Sequence, residues 1–270
     1  MKTLKNSFTF IDLFAGIGGF HSAMDIISEG NAKCLYASEI DKYAQKIYED
    51  NFHIKPLGDI RKIDPSKYEC PDIVCGGFPC QTFSKAGKQN GFKDPRGTLF
   101  REIIRLVEYF EEEKRPKFLL LENVRNLISH DNGETWKTIK HEIQRVGYNV
   151  CSVPIVVAPK DVGVPQLRDR AIILAVRKDI FSGSLDNFKF ERKPKNSLDI
   201  MSIVDKKNFE GARKITEEQK YELDCWNDFI HNVNRTIIGF PIWSDEFGKT
   251  YNISKLPLWK QEIIRSNRKL

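Results

Sequence analysis

From residue 8 onward the chain alternates short apolar runs with stretches in which apolar residues recur every three or four positions. Residues 8–14 form an apolar, β-rich run. Phe20, Ala23, Met24 and Ile27 then fall at i, i+3, i+4 and i+7, the stripe of an amphipathic helix, and Gly30 is its expected stop. Residues 33–38 read as a second strand, and Asp41 as the cap of a helix carrying Ala44, Ile47 and Tyr48. A short third strand is predicted to end at Gly58, Asp59 and Ile60, and a fourth covers 72–75. Leu99, Phe100, Ile103, Val107 and Phe110 stripe the next helix, and 117–121 is a buried-type strand. Trp136, Ile139, Ile143 and Val146 stripe a further helix, stopped at Gly147. The runs 148–157 and 170–176 follow with no helix between them, so they are expected to pair as an antiparallel hairpin.

That order predicts an α/β fold: a doubly wound, mostly parallel seven-stranded sheet with an antiparallel edge hairpin. A catalytic and cofactor-binding domain is assigned to 1–180. Residues 181–270 form an irregular, partly helical extension with no clear periodicity at its start. Ligands on such sheets bind beyond the carboxyl ends of the strands. Residues 15–19, Glu39, Asp59, 76–80, Glu122 and Asn123 would all gather at that edge.

Composition changes this picture little. The net charge of +6 fits a polyanionic partner but does not single one out. The six cysteines are scattered, and Cys70, Cys75 and Cys80 lack the tighter pairing of a zinc site, so no metal is expected. There is no apolar signal core at the start and no run approaching a membrane span, so a cytoplasmic, reduced setting without membrane contact is expected.

The chemistry centres on Gly76-Gly77-Phe78-Pro79-Cys80-Gln81-Thr82-Phe83-Ser84. A thiol directly after a proline, at a strand end, is placed as a nucleophile, although free cysteine is also a common packing residue. Asp12-Leu13-Phe14-Ala15-Gly16-Ile17-Gly18-Gly19 is a strand, a glycine turn and a helix start, suited to close approach of a ligand. Glu39 ends the second strand, where an acid meets a ribose diol. Asp59 is placed either to accept from an adenine amino group or to cap a helix. Nothing has the spacing of a phosphate-binding loop, so an adenosine without polyphosphate is favoured. Phe14 either stacks on that ligand or belongs to the core. Glu122 emerges from a buried strand, which suits a proton donor with a raised pKa. It is equally placed as a core carboxylate paired with Arg168 or Arg170, and the two readings are compatible. The connection from 76 to about 96 is long for a compact α/β unit, a length that points to function or mobility.

Taken in order, the Asp12 turn, Ser38-Glu39-Ile40-Asp41, Gly58-Asp59-Ile60, the Cys80 segment, Glu122-Asn123-Val124 and Gln166-x-Arg168-x-Arg170 resemble the DNA cytosine-5 methyltransferase family over residues 8–176. The resemblance implies the fold of the S-adenosylmethionine-dependent methyltransferases, with that cofactor, double-stranded DNA as substrate, and a bacterial restriction–modification setting. It implies that Cys80 attacks C6 of a flipped-out cytosine, that Glu122 protonates N3 and that Asn123 orients the loop. Arg168 and Arg170 would then engage the base or support the closed loop, Arg170 being the better placed for the base. Asp12, Phe14, Ala15, Gly16, Ile17, Gly18, Gly19, Glu39, Ile40, Asp59, Ile60, Gly77 and Pro79 would form the cofactor site. Gln81, Ser84, Lys85, Lys88, Gln89 and Arg96 would close over the DNA, with Gly87, Gly91 and Gly97 as hinges.

The chain departs from the family pattern after the hairpin: neither a full recognition domain nor a returning Gly-Asn element is found. A split enzyme with a second polypeptide, a truncated gene product and a fragment each fit, and each predicts weak activity alone. A cofactor-binding remnant and an RNA cytosine-5 methyltransferase are the alternatives. The latter is expected to carry a Cys-Phe-Thr element near the hairpin, which is absent.

Overall fold

The computed structural model describes residues 7–79, 99–192, 199–204, 214–233 and 242–269. The chain divides into two compact units, Met1–Ile203 and Val204–Leu270.

The first unit is built on seven strands: β1 (Thr9–Leu13), β2 (Lys33–Ser38), β3 (Ile73–Gly77), β4 (Phe118–Val124), β5 (Tyr148–Val150), β6 (Ile155–Val157) and β7 (Arg170–Arg177). Their order is β2-β1-β3-β4-β7-β5, with β6 also paired to β7. β2, β1, β3 and β4 run parallel, and β7 is antiparallel to β4, β5 and β6. β7 is therefore the one strand of the sheet that points the other way. The sheet is mostly parallel, as its near-continuous apolar strands lead one to expect.

Two details of the strands differ from the sequence reading. Gly58, Asp59 and Ile60 do not end a strand. Asp59 instead caps a 3-10 turn over Ile60–Lys62, accepting from the Arg61 amide, because three residues with a strong cap satisfy the backbone locally. The run 148–157 pairs antiparallel with β7 as expected, but as two short strands, β5 and β6, rather than one, and β7 also lies beside β4.

Four helices cover the sheet: α1 (Gly19–Ser28), α2 (Lys42–Phe52), α3 (Leu99–Glu108) and α4 (Glu134–Arg145). α1 ends where Gly30, at φ 79°, donates its amide to the Asp25 carbonyl. Its inner face is not the predicted stripe. His21, Met24 and Ser28 are buried while Ala23 and Ile27 face outward. The reason is polar pairing: His21 Nδ1 lies 2.7 Å from the Tyr48 hydroxyl, and the Ser28 hydroxyl accepts from the Ala32 amide at 2.9 Å. Asp41 caps α2 by accepting from the Tyr43 and Ala44 amides at 2.9 and 2.8 Å. α4 stops before Gly147, whose φ of 90° few other residues adopt.

The main core lies between the sheet and α3 and α4. Leu13, Leu119, Leu121, Ile103, Ile139 and Ile173 are all buried there. Each such side chain contributes about 1.5–3 kcal/mol relative to exposure, which fixes the sheet register and hence which strand ends sit side by side.

The second unit contains α5 (Glu217–Asn232), opened by a reciprocal Thr216–Gln219 capping box, and α6 (Leu258–Asn267). Among the described residues no helix is long and apolar enough to cross a membrane, and no cluster of metal-ligating side chains occurs.

Candidate active site

The carboxyl end of β1 turns through Phe14, Gly16 and Gly18, all at positive φ (55°, 55° and 95°). For Phe14 this conformation is strained. Gly18 is fixed by packing as well, since a Cβ there would stand 2.0 Å from the Phe52 ring. The turn is held to the end of β2 by Glu39. One carboxylate oxygen accepts from the Gly16 amide at 2.8 Å, and the other accepts from the Ile40 and Asp41 amides at 2.8 and 2.9 Å. Three backbone donors thus lock the acid in place.

Beside this turn lies a cavity of about 350 Å³. Of the residues singled out from sequence, Phe14, Glu39, Ile40, Asp59, Ile60, Gly77 and Pro79 line it. Ser38, Arg61 and Leu99 line it too, and were not singled out. Ala15, Gly16, Ile17, Gly18 and Gly19 shape the turn but do not line the cavity. Asp59 is held by Arg61, whose Nε lies 2.9 and 3.0 Å from its two oxygens, and this pairing keeps the carboxyl below its usual range. A pair two residues apart in sequence is the one signal that could have drawn attention to Arg61.

Asp12 lies elsewhere. It is fully buried on β1, and among the described residues neither carboxylate oxygen has a hydrogen-bond partner. Burial pushes its pKa up to about 8, opposed by the His21 backbone and reinforced by the Glu39 carboxylate. Cys75 and Cys34 share this interior, and burial raises both thiols, Cys34 to about 12. Neither is a nucleophile in that environment.

At the ends of β3 and β4 a second group of side chains meets. Gly77 pairs with Glu122 across the two strands, and a Cβ at Gly77 would stand 3.4 Å from Glu122 Oε2. Arg170, the first residue of β7, places its Nε 2.5 Å from Glu122 Oε1. Burial raises the Glu122 pKa, while Arg170 and Arg168 oppose the rise. Asn123 is buried with both ends satisfied, its Nδ2 donating to the Phe78 carbonyl at 3.1 Å and its Oδ1 accepting from the Val124 amide at 2.8 Å. It therefore ties β4 to the backbone immediately before Pro79. Arg168 is exposed, and Asp169 between the two arginines takes Arg125 at 2.8 Å. Cys80, Gln81, Ser84, Lys85, Lys88, Gln89 and Arg96, with the hinge glycines, lie outside the described residues.

A family model for C-5 cytosine-specific DNA methylases matches residues 8–266. The chain belongs to that family. Among curated members, the type II methyltransferase M.HhaI of Haemophilus parahaemolyticus is 44% identical over 183 residues, covering 68% of this chain and 52% of that protein. M.AluI of Cellulosimicrobium cellulans is 32% identical, covering 95% of this chain and 58% of its own length. The chain thus spans little more than half the length of these C-5 methylases. The crystal structure of the S. pombe Dnmt2 methyltransferase shares the fold, at a TM-score of 0.61 and 21% identity, covering 82% of this chain and 67% of that one. For a C-5 methylase, the neighbouring cavity and carboxyl–guanidinium pair occupy the edge where the α/β sheet offers its strand ends.

Proposed function

We propose that this chain transfers a methyl group from S-adenosylmethionine to C5 of cytosine in double-stranded DNA, as part of a restriction–modification system. The observation that carries the reading is the Glu122–Arg170 pair, which sits beside the adenosine-sized cavity at one sheet edge. Type II methyltransferases among its relatives support it.

The described residues suit the cofactor. Glu39, already oriented by three backbone amides, faces the cavity with an acid fit for a ribose diol. Asp59 offers an acceptor for an adenine amino group, and Phe14 a ring. When bound, S-adenosylmethionine supplies an electrophilic methyl.

C5 of cytosine is a poor nucleophile until something adds at C6. In the proposed sequence, Cys80 adds to C6 as a thiolate while Glu122 gives its proton to N3, so the electron pair leaving the C5–C6 bond becomes available at C5. Burial that raises the Glu122 pKa favours the protonated carboxyl this step uses. Arg170 holds the carboxyl in one orientation and presents the rest of its fork toward the base carbonyl. Arg168 supports it from the exposed side. Asn123 fixes the Phe78 carbonyl, two residues before the nucleophile, so the turn enters the site at a set height. After transfer, C5 loses its proton to water, the electron pair left behind re-forms the C5–C6 double bond and expels the thiolate, and N3 returns its proton to Glu122. Cytosine is out of reach inside a stacked duplex, so the base is flipped out, at a cost of a few kcal/mol. Gln81, Ser84, Lys85, Lys88, Gln89 and Arg96 are assigned to closure over the DNA. A second polypeptide supplying target recognition is included in the proposal.

The test uses duplex DNA containing 5-fluorocytosine with labelled S-adenosylmethionine, on the chain alone and with the product of any adjacent reading frame. A covalent protein–DNA complex that vanishes in Cys80→Ala is the expected result. No complex under any pairing removes the chain from the enzymes.

A further inference from the structure

α5 differs in kind from the helices of the sheet unit. It carries five acidic residues (Glu217, Glu218, Glu222, Asp224, Asp228) against one lysine, Lys220, in a chain whose net charge is +6. None of its residues is buried, and Tyr221, Leu223, Trp226 and Ile230 are exposed. Beside it lies a groove of about 620 Å³ whose walls include Tyr221, Trp226, Phe229 and Phe247, with Glu222 and Asp228 at its side.

The aromatic rings are arranged rather than scattered. Trp226 meets Phe229 edge-on at 5.6 Å, and Phe229 stacks on Phe247 at 5.2 Å and 19°. Phe247 is set by its neighbour: Glu246 accepts from the Tyr251 hydroxyl at 2.5 Å, and Arg268 lies over the Tyr251 ring at 4.4 Å. Glu222 and Asp228 make no ion pair among the described residues, although Asp228 accepts from the Asn232 amide group at 3.0 Å.

Aromatic faces carry negative potential, and two unpaired carboxylates beside them add to it, so the groove selects a cation. It repels phosphate, which sets this face apart from a DNA-contacting surface. Glu218, Glu222 and Phe229 lie on one helical row, and Asp224 and Asp228 on the next. The two acids at the groove, Glu222 and Asp228, stand about 9 Å apart along the helix axis, a spacing that matches two cations held at an interval, as on a polypeptide, better than one small ion.

We propose that the α5 groove docks a basic segment of a partner protein, its lysine or arginine side chains entering between Trp226, Phe229 and Phe247 and pairing with Glu222 and Asp228. The proposal is independent of methyl transfer and survives if that reading fails.

The test titrates the full chain with an end-blocked twelve-residue peptide carrying lysine at every third or fourth position and leucine between. The readouts are calorimetry and the NMR resonance of the Trp226 indole N–H. Saturable binding that moves that resonance is expected. Glu222→Gln with Asp228→Asn should weaken it at least about tenfold, and Trp226→Leu about fivefold with the charges intact. These positions are exposed, and circular dichroism confirms that each variant keeps its helices. The proposal is overturned if the peptide does not saturate, if its glutamine counterpart binds equally well, or if both variants bind like the original. Competition for the groove by a DNA duplex overturns it too.

Discussion

The two halves of the sheet edge are assembled by different means. On the cofactor side, Glu39 is fastened by three main-chain amides, and the glycine turn takes its shape from backbone angles and from Phe52. On the catalytic side the main contacts run between side chains, Glu122 to Arg170 and Arg125 to Asp169, with Asn123 bonded to the Phe78 carbonyl and Arg170 to the Asp169 carbonyl. A site held by main-chain donors tolerates changes in neighbouring side chains. One held by a carboxyl–guanidinium pair is tunable, and each member is indispensable to the other. Under the proposed function the contrast suits a division of labour in which an adenosine is held and a proton moves.

The largest expected effect separates the two halves. Glu122→Gln keeps the shape of the side chain and removes its proton. Methyl transfer should fall about 10²–10⁴-fold in single-turnover assays, while cofactor affinity by calorimetry stays within about twofold. The rate of the unsubstituted chain should also decline as pH rises through the elevated Glu122 pKa, a limb the variant lacks. A parallel loss of cofactor binding would mean that the halves are not independent.

Next comes the backbone-held half. Gly18→Ala puts a Cβ 2.0 Å from the Phe52 ring at a φ of 95°. It should cost about 2–4 kcal/mol in denaturant unfolding, through strain and overpacking together. Cofactor affinity should fall with it. Unchanged stability would show that Phe52 moves freely, and that the turn is less firmly set than its geometry implies.

These halves were unequally legible in the sequence. The parallel strands, the helix caps at Asp41 and Gly147, and the gathering of acids and glycines at one edge follow from apolar periodicity and turn chemistry, which are local. The course of β7 between β4 and β5 was not legible, because pairing partners separated by dozens of residues leave no periodic trace. The third strand was over-read: Gly58-Asp59-Ile60 has strand-like neighbours, but Asp59 caps a turn instead. The stripe on α1 misled because His21 and Ser28 face inward, their polarity offset by Tyr48 and Ala32. Apolar counting misses a polar inner face of that sort.

The smallest expected effect concerns Asp12, the acid of the turn motif that serves neither half directly. Its folded-state pKa of about 8 lies above the ordinary 3.8. The folded state therefore holds a proton that the unfolded chain releases, so the Asp12 contribution to stability is greatest below pH ~4 and declines as pH rises toward about 8. Asp12→Asn should flatten that decline, by up to about 1 kcal/mol per pH unit, in unfolding curves taken from pH 5 to 8. His21, whose pKa is lowered by burial, contributes a slope of opposite sign over the lower part of that range, and it is common to both proteins. Identical slopes would mean that Asp12 is already ionised.

The reversed strand has a consequence for the order in which the molecule comes into being. Among the described residues β5 and β6 pair with no strand but β7, and β7 is the last of these seven in chain order. Until it docks, β4 is the growing edge of the sheet and Glu122 has no guanidinium beside it. When it does dock, one insertion completes the sheet, recruits two waiting strands and delivers Arg170 to its acid. Completion of the sheet and assembly of the Glu122–Arg170 pair thus depend on the same strand.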